Sequence, residues 1–152
     1  MYDAQNRPHW RPLMHLGPQS FALLFTVVLL AITAYFLLGS VPLLVLKHDN
    51  PMDSRFIRSF YTTYFRIAIV AAVATAISYA LAGRIGLALG AAAIALLTWL
   101  LRRHLITRMD LLGDQIQAND LVAIPEFLKM HKSAILINTT QLFAILLSLG
   151  SF

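Results

Sequence analysis

The sequence predicts an all-α integral membrane protein, a four-helix bundle whose third span continues as a helical extension on the cytoplasmic side. Three observations lead to it. Hydrophobic residues make up 59% of the 152 and charged residues only 12%, with a mean hydropathy of +0.71, a balance far from that of a soluble domain. Four apolar runs follow one another, each near the roughly 20 residues a helix needs to cross the hydrocarbon layer. Lys and Arg stand at the ends of these runs rather than along a polar face. That placement sets orientation in a bilayer, the partner expected for this chain, and argues against nucleic acid despite the net charge of +5.

Residues 1–18 hold Arg7, Pro8, Trp10, Arg11 and Pro12 without a long apolar run, so they read as an irregular tail or interfacial segment with Trp10 at headgroup level. The apolar run that follows is too long for a signal-peptide core and ends in no small-x-small cleavage site, so the segment is expected to be retained. Residues 19–152 form the four-span domain. No cysteine is present, which excludes disulfides, thiolate metal sites and cysteine nucleophiles.

The first span covers about 20–46 and is uncharged until Lys47. Pro42 removes the hydrogen bond to the Leu38 carbonyl and predicts a kink near Gly39 or an early helix end. LKHDNPMD, residues 46–53, is a polar turn that Pro51 keeps from being helical throughout. The second span, about 57–82, starts in RFIRSFYTTYFR, where Arg58, Thr62 and Arg66 share a face. Ala72, Ala76 and Ala80 then form a ridge of small residues suited to close helix contact. Gly83, Arg84 and Gly86 predict a tight turn into an antiparallel partner.

The third span, about 85–105, carries Gly86 and Gly90 for another close contact. Arg102, Arg103 and His104 mark its exit from hydrocarbon, and LLRRHLITRMDLLGDQIQAN extends the helix into water, with His104 and Arg108 on one face and Asp110 and Asp114 on another. Asn119 and Asp120 are stop and restart signals, and Pro125 suits a first helical turn. The fourth span, about 127–149, sets His131, Asn138 and Gln141 near one face at 100° per residue, turned together away from lipid.

With four spans, Arg7, Arg11 and Arg84 lie on one side. Lys47, Arg55, Arg58, Arg102, Arg103, Arg108, Lys129 and Lys132 lie on the other. The positive-inside tendency places both termini outside and the two charged loops in the cytoplasm, or on the corresponding side of another membrane. His48, His104 and His131 then reach the same side.

Those three histidines are the candidate metal or haem ligands, with nearby carboxylates as support, since imidazole suits Zn, Cu and Fe and bundles build such sites between facing helices. None has local ligand spacing, and helix-end histidines also serve as interfacial residues. Arg58 and Arg66 with Tyr61 and Tyr64 suit an anionic head group, a carboxylate or a quinone-like oxygen; snorkelling to lipid is the alternative. Asn138 and Gln141 either line a pocket capped by His131 or act as hydrogen-bonding glue between helices. No P-loop, dinucleotide-binding glycine pattern, HExxH or nucleophile elbow is present.

On VPLLVLKHD, RFIRSFYTTYFR, the charged extension of the third span and FLKMHKSAILINTTQL, the chain resembles the anthrone-oxygenase-like family of small four-helix bacterial membrane proteins. That resemblance implies oxidation of polycyclic anthrones without an obvious cofactor, with His131, Asn138 and Arg66 as the catalytic candidates. PLLVLKH is similar to a segment of the membrane-bound protoporphyrinogen oxidase family, which implies a haem-associated redox role with His48 as the matching position. A likeness to copper-resistance membrane domains implies copper on the histidines. Two functions follow: a small oxidoreductase or cofactor-binding protein (haem, metal or quinone-like) with a pocket of His48, Arg66, His104, His131 and Asn138, or a non-catalytic accessory subunit docking through its Ala and Gly ridges on a larger membrane complex or a second copy.

Overall fold

A computed structural model describes residues 17–45, 51–118, 120 and 122–152; the tail to residue 16, His48 and Asn119 lie outside them. The described chain forms four helices, α1 (Pro18–Leu43), α2 (Pro51–Leu81), α3 (Ile85–Gln117) and α4 (Ala123–Leu149). All four are long and apolar enough to cross a membrane, as expected of a multi-pass membrane protein. α1 packs on α2 and α4, and α3 packs on the same two. α2 and α4 therefore stand at opposite corners.

The element boundaries follow from helix-end chemistry. α1 begins on Pro18, whose missing N–H would have had no partner in the first turn. It ends one residue past Pro42, three residues before the expected limit, and Leu44 N–H and Val45 N–H close on the Val41 and Pro42 carbonyls at 3.1 Å. Pro42 thus acts in the final turn, where its lost hydrogen bond matters least. α2 starts at Pro51, earlier than expected: proline suits a first helical position, so it opens the helix that it was expected only to interrupt. The α2–α3 turn uses Gly83 at φ 73° while Arg84 N–H reaches back to the Tyr79 carbonyl at 2.9 Å, a left-handed C-terminal cap that glycine adopts without a Cβ penalty. Gly86 falls inside α3, not in the turn.

α3 runs unbroken to Gln117. Its extension is not a lone helix in water, because Leu105, Met109, Leu112 and Ile116, spaced 4, 3 and 4 apart, are buried in one cluster with Ile57, Tyr61 and Phe65 of α2 and Phe127 of α4. Two exposed ion pairs flank that cluster. Arg58 meets Asp110 through two nitrogens, at 2.5 and 3.1 Å, and Arg108 meets Glu126 at 3.3 Å. Both bind α3 to a neighbouring helix and not to itself, and pairs this exposed contribute about 1 kcal/mol at most.

The small-residue ridges pack less than the sequence predicts. Ala72 is buried, but Ala76 is only half-buried and Ala80 exposed. Gly86 and Gly90 are exposed, with nothing within 4 Å of where a Cβ would stand. They line a cavity of about 380 Å³ beside Ala144 and Ser148. The close approach occurs at Gly39 instead, where an added Cβ would meet the Phe60 ring at 2.7 Å.

Candidate functional site: a buried polar spine and a lateral aromatic groove

The α4 face carrying His131, Asn138 and Gln141 is buried, each of the three at most 5% exposed. Each meets a polar group on another helix. Nε2 of His131 lies 3.1 Å from the Ser40 carbonyl of α1, and Nδ1 lies 3.0 Å from the Tyr61 hydroxyl of α2. A carbonyl only accepts, so Nε2 carries the proton, and the neutral ring then accepts at Nδ1 from the Tyr61 hydroxyl. Asn138 Oδ1 accepts from the Tyr64 hydroxyl, and its Nδ2 donates to the Ala134 carbonyl at 2.8 Å. Gln141 Nε2 donates to Thr98 Oγ1 of α3 across 3.4 Å. Further along, the Thr26 hydroxyl of α1 donates to the Ala22 carbonyl at 2.7 Å and meets the Tyr79 hydroxyl of α2 at 3.0 Å.

One hydroxyl in this spine is poorly satisfied. Ser40 is fully buried, and its Oγ, beside the Tyr61 hydroxyl, makes no hydrogen bond of ordinary geometry although its carbonyl serves His131.

The candidate ligand set does not come together among the described residues. His104 is exposed on α3, while both ring nitrogens of His131 are occupied by Ser40 and Tyr61. Among the described residues there is no group of three or more His, Asp or Glu side chains able to hold a metal ion. The described residues thus assemble no three-ligand centre for copper, and the haem role that the resemblance implies rests on His48. His48 lies outside them.

Arg58 and Arg66 stand apart from the spine. Both are exposed, on an open concavity of α2 with Arg55, Ser59, Thr62 and Thr63. Tyr61 and Tyr64, sharing that segment, face inward. The arginine stripe and the tyrosines occupy different sides of one helix, so the single pocket expected from His131, Arg66 and Asn138 is divided in two.

Between the two sides lies a feature that composition did not reveal. A groove of about 520 Å³ separates α1 from α2, with Ala31, Tyr35 and Phe36 on one wall and Phe56, Phe60, Tyr64 and Ile67 on the other. Phe36 stacks on Tyr64 at 3.8 Å between centroids and on Phe60 at 5.5 Å, within 20° of parallel in both pairs. Gly39 admits Phe60 to this stack. Tyr64 joins groove and spine, since its ring forms the wall and its hydroxyl is held by Asn138. Ser59 and Thr63 line both the groove and the arginine concavity.

The sequence did carry a signal for the α1 half of the site. Ala22, Thr26, Thr33, Phe36 and Ser40, with Leu29 between them, make a stripe of small, polar and aromatic residues at helical spacing, and all six are buried.

Searches against family models, curated proteins and solved structures returned no match. What the chain does must be inferred from its own geometry.

Proposed function

We propose that the protein is a ligand-binding component of a bacterial inner membrane, with both termini periplasmic, that takes an apolar, quinone-like molecule from the cytoplasmic leaflet into the groove between α1 and α2. The observation that carries this reading is the groove itself: about 520 Å³, walled by flat aromatic side chains and placed between two membrane-spanning helices. Concave, mostly apolar sites with a few polar groups are the usual form of small-molecule sites. Aromatic walls favour a flat partner by offset stacking.

On this reading His131 and Asn138 are positioning residues. They hold Tyr61 and Tyr64, and Tyr64 presents its ring to the ligand. Binding of decylubiquinone to the full chain in lipid nanodiscs tests the proposal. Saturable binding that is lost in Ala31→Trp, which fills the groove from an exposed α1 position, supports it; binding unchanged by that variant overturns it.

A docking role is the second reading, favoured by the exposed, uncovered Gly86 and Gly90 of α3. It predicts a protein partner or second copy that co-purifies and is lost in Gly90→Leu.

A further inference from the structure

We infer that the α1–α2 groove also takes, in exchange with the quinone-like molecule, an anionic amphiphile of the bilayer, its apolar body along Ala31, Ile32 and Ile67 and a phosphate head on the arginine stripe of α2. This deepens the groove reading above and rests on it.

Arg55, Arg58, Thr62 and Arg66 recur at steps of 3, 4 and 4 and so form one stripe. Phe56, Phe60, Thr63 and Ile67 form the neighbouring stripe that lines the groove. Ser59 and Thr63 belong to both concavities, so a molecule lying in the apolar one has its end beside the basic one. Apolar body and anionic head are the two halves of an amphiphile.

Charge bookkeeping points the same way. Asp110 neutralises Arg58, but among the described residues no carboxylate pairs with Arg55 or Arg66. Arg66 is also deep. From it to the end of α2 at Leu81 the helix rises only about 22 Å, less than the roughly 30 Å of hydrocarbon, so an exposed Arg66 lies inside the apolar layer and must reach outward or draw an anion inward. A phosphate at the level of Thr62 and Thr63 stands about 6 Å along the axis from each of Arg58 and Arg66, within the reach of both side chains. Guanidinium groups fork onto phosphate oxygens, and the Ser59 and Thr63 hydroxyls add neutral donors. A phospholipid of the same leaflet supplies head and body at the required depths.

Native mass spectrometry of the full chain, released from mild detergent with added dioleoyl phosphatidylglycerol or dioleoyl phosphatidylcholine, tests this. The account expects phosphatidylglycerol to be retained preferentially. Arg66→Gln should weaken that retention about fivefold, the effect of one basic residue at an anionic surface, with Arg66→Lys keeping most of it, and Ala31→Trp should lower it as well. Equal retention of the two lipids, unaffected by Arg66→Gln while Ala31→Trp still lowers both, overturns the anionic head and leaves the groove reading standing. If neither lipid nor decylubiquinone is sensitive to Ala31→Trp, both readings fall. Displacement of the lipid by millimolar inorganic phosphate would show that the arginines hold free phosphate and would likewise overturn the amphiphile. Circular dichroism melts of each variant separate loss of binding from loss of fold.

Discussion

His131 and Tyr61 lie 70 positions apart, on helices at opposite corners of the bundle, and their side chains meet at 3.0 Å across its centre. With Ser40 on α1, three helices are joined at one imidazole. In hydrocarbon the apolar surfaces gain little by meeting each other, so close packing and bonds of this kind hold a bundle together.

Tyr61→Phe should therefore destabilise the protein by about 1 kcal/mol, the usual order for an interhelical hydrogen bond in a membrane. His131→Leu should cost more, because it leaves both the Tyr61 hydroxyl and the Ser40 carbonyl without their partner. Reversible unfolding in mixed micelles measures both; equal effects would show that Ser40 contributes nothing.

Asn138 and Gln141 provide a ranking. Asn138 both accepts from Tyr64 and donates to Ala134, whereas Gln141 makes one long bond to Thr98. Asn138→Ala should lower stability by about 1 kcal/mol more than Gln141→Ala in the same assay.

Ser40→Ala is expected to be neutral or slightly stabilising. It removes a buried hydroxyl that makes no hydrogen bond of ordinary geometry and keeps the backbone carbonyl that serves His131. A marked loss of stability would mean that the hydroxyl is engaged after all.

Gly39→Ala tests the groove from behind. The new methyl would displace the Phe60 ring, which then intrudes on the groove that it lines. Ligand retention should fall several-fold with the helical circular dichroism signal unchanged.

The far end of the bundle fixes a topological prediction. Arg84 in the α2–α3 turn donates to the Ser151 carbonyl at 2.7 Å, and its guanidinium lies over the Phe152 ring at 5.0 Å, so residues 84 and 151 share one side. The chain has no cysteine, and single cysteines at 84 and 151 should therefore react equally with an impermeant maleimide. We propose, from the positive-inside tendency, that this is the periplasmic side; opposite reactivities would dismantle the four-span arrangement.

Much of this could be read from the chain because the bilayer simplifies the problem. Span length and charge placement gave four helices, and 100° spacing brought His131, Asn138 and Gln141 to a buried face. Their partners were less legible. Nothing local ties Tyr64 to Asn138, 74 positions away; that pairing depends on which helices become neighbours. The groove was hidden for a related reason. Phe36 and Phe60 look like ordinary lipid-facing aromatics until Gly39 lets α2 approach and stacks them. Gly86 and Gly90 misled in the opposite direction, since glycines spaced for contact make contact only where a neighbour arrives.

Photolabelling in nanodiscs with an azido-substituted naphthoquinone, the adducts being located by peptide mass spectrometry, tests whether the α1–α2 groove holds a quinone-like ligand. The account predicts adducts concentrated on Tyr35, Phe56 and Phe60, competed by excess decylubiquinone and absent in Ala31→Trp. Adducts spread over the outer face of α3, or unaffected by the competitor and by the variant, would contradict it.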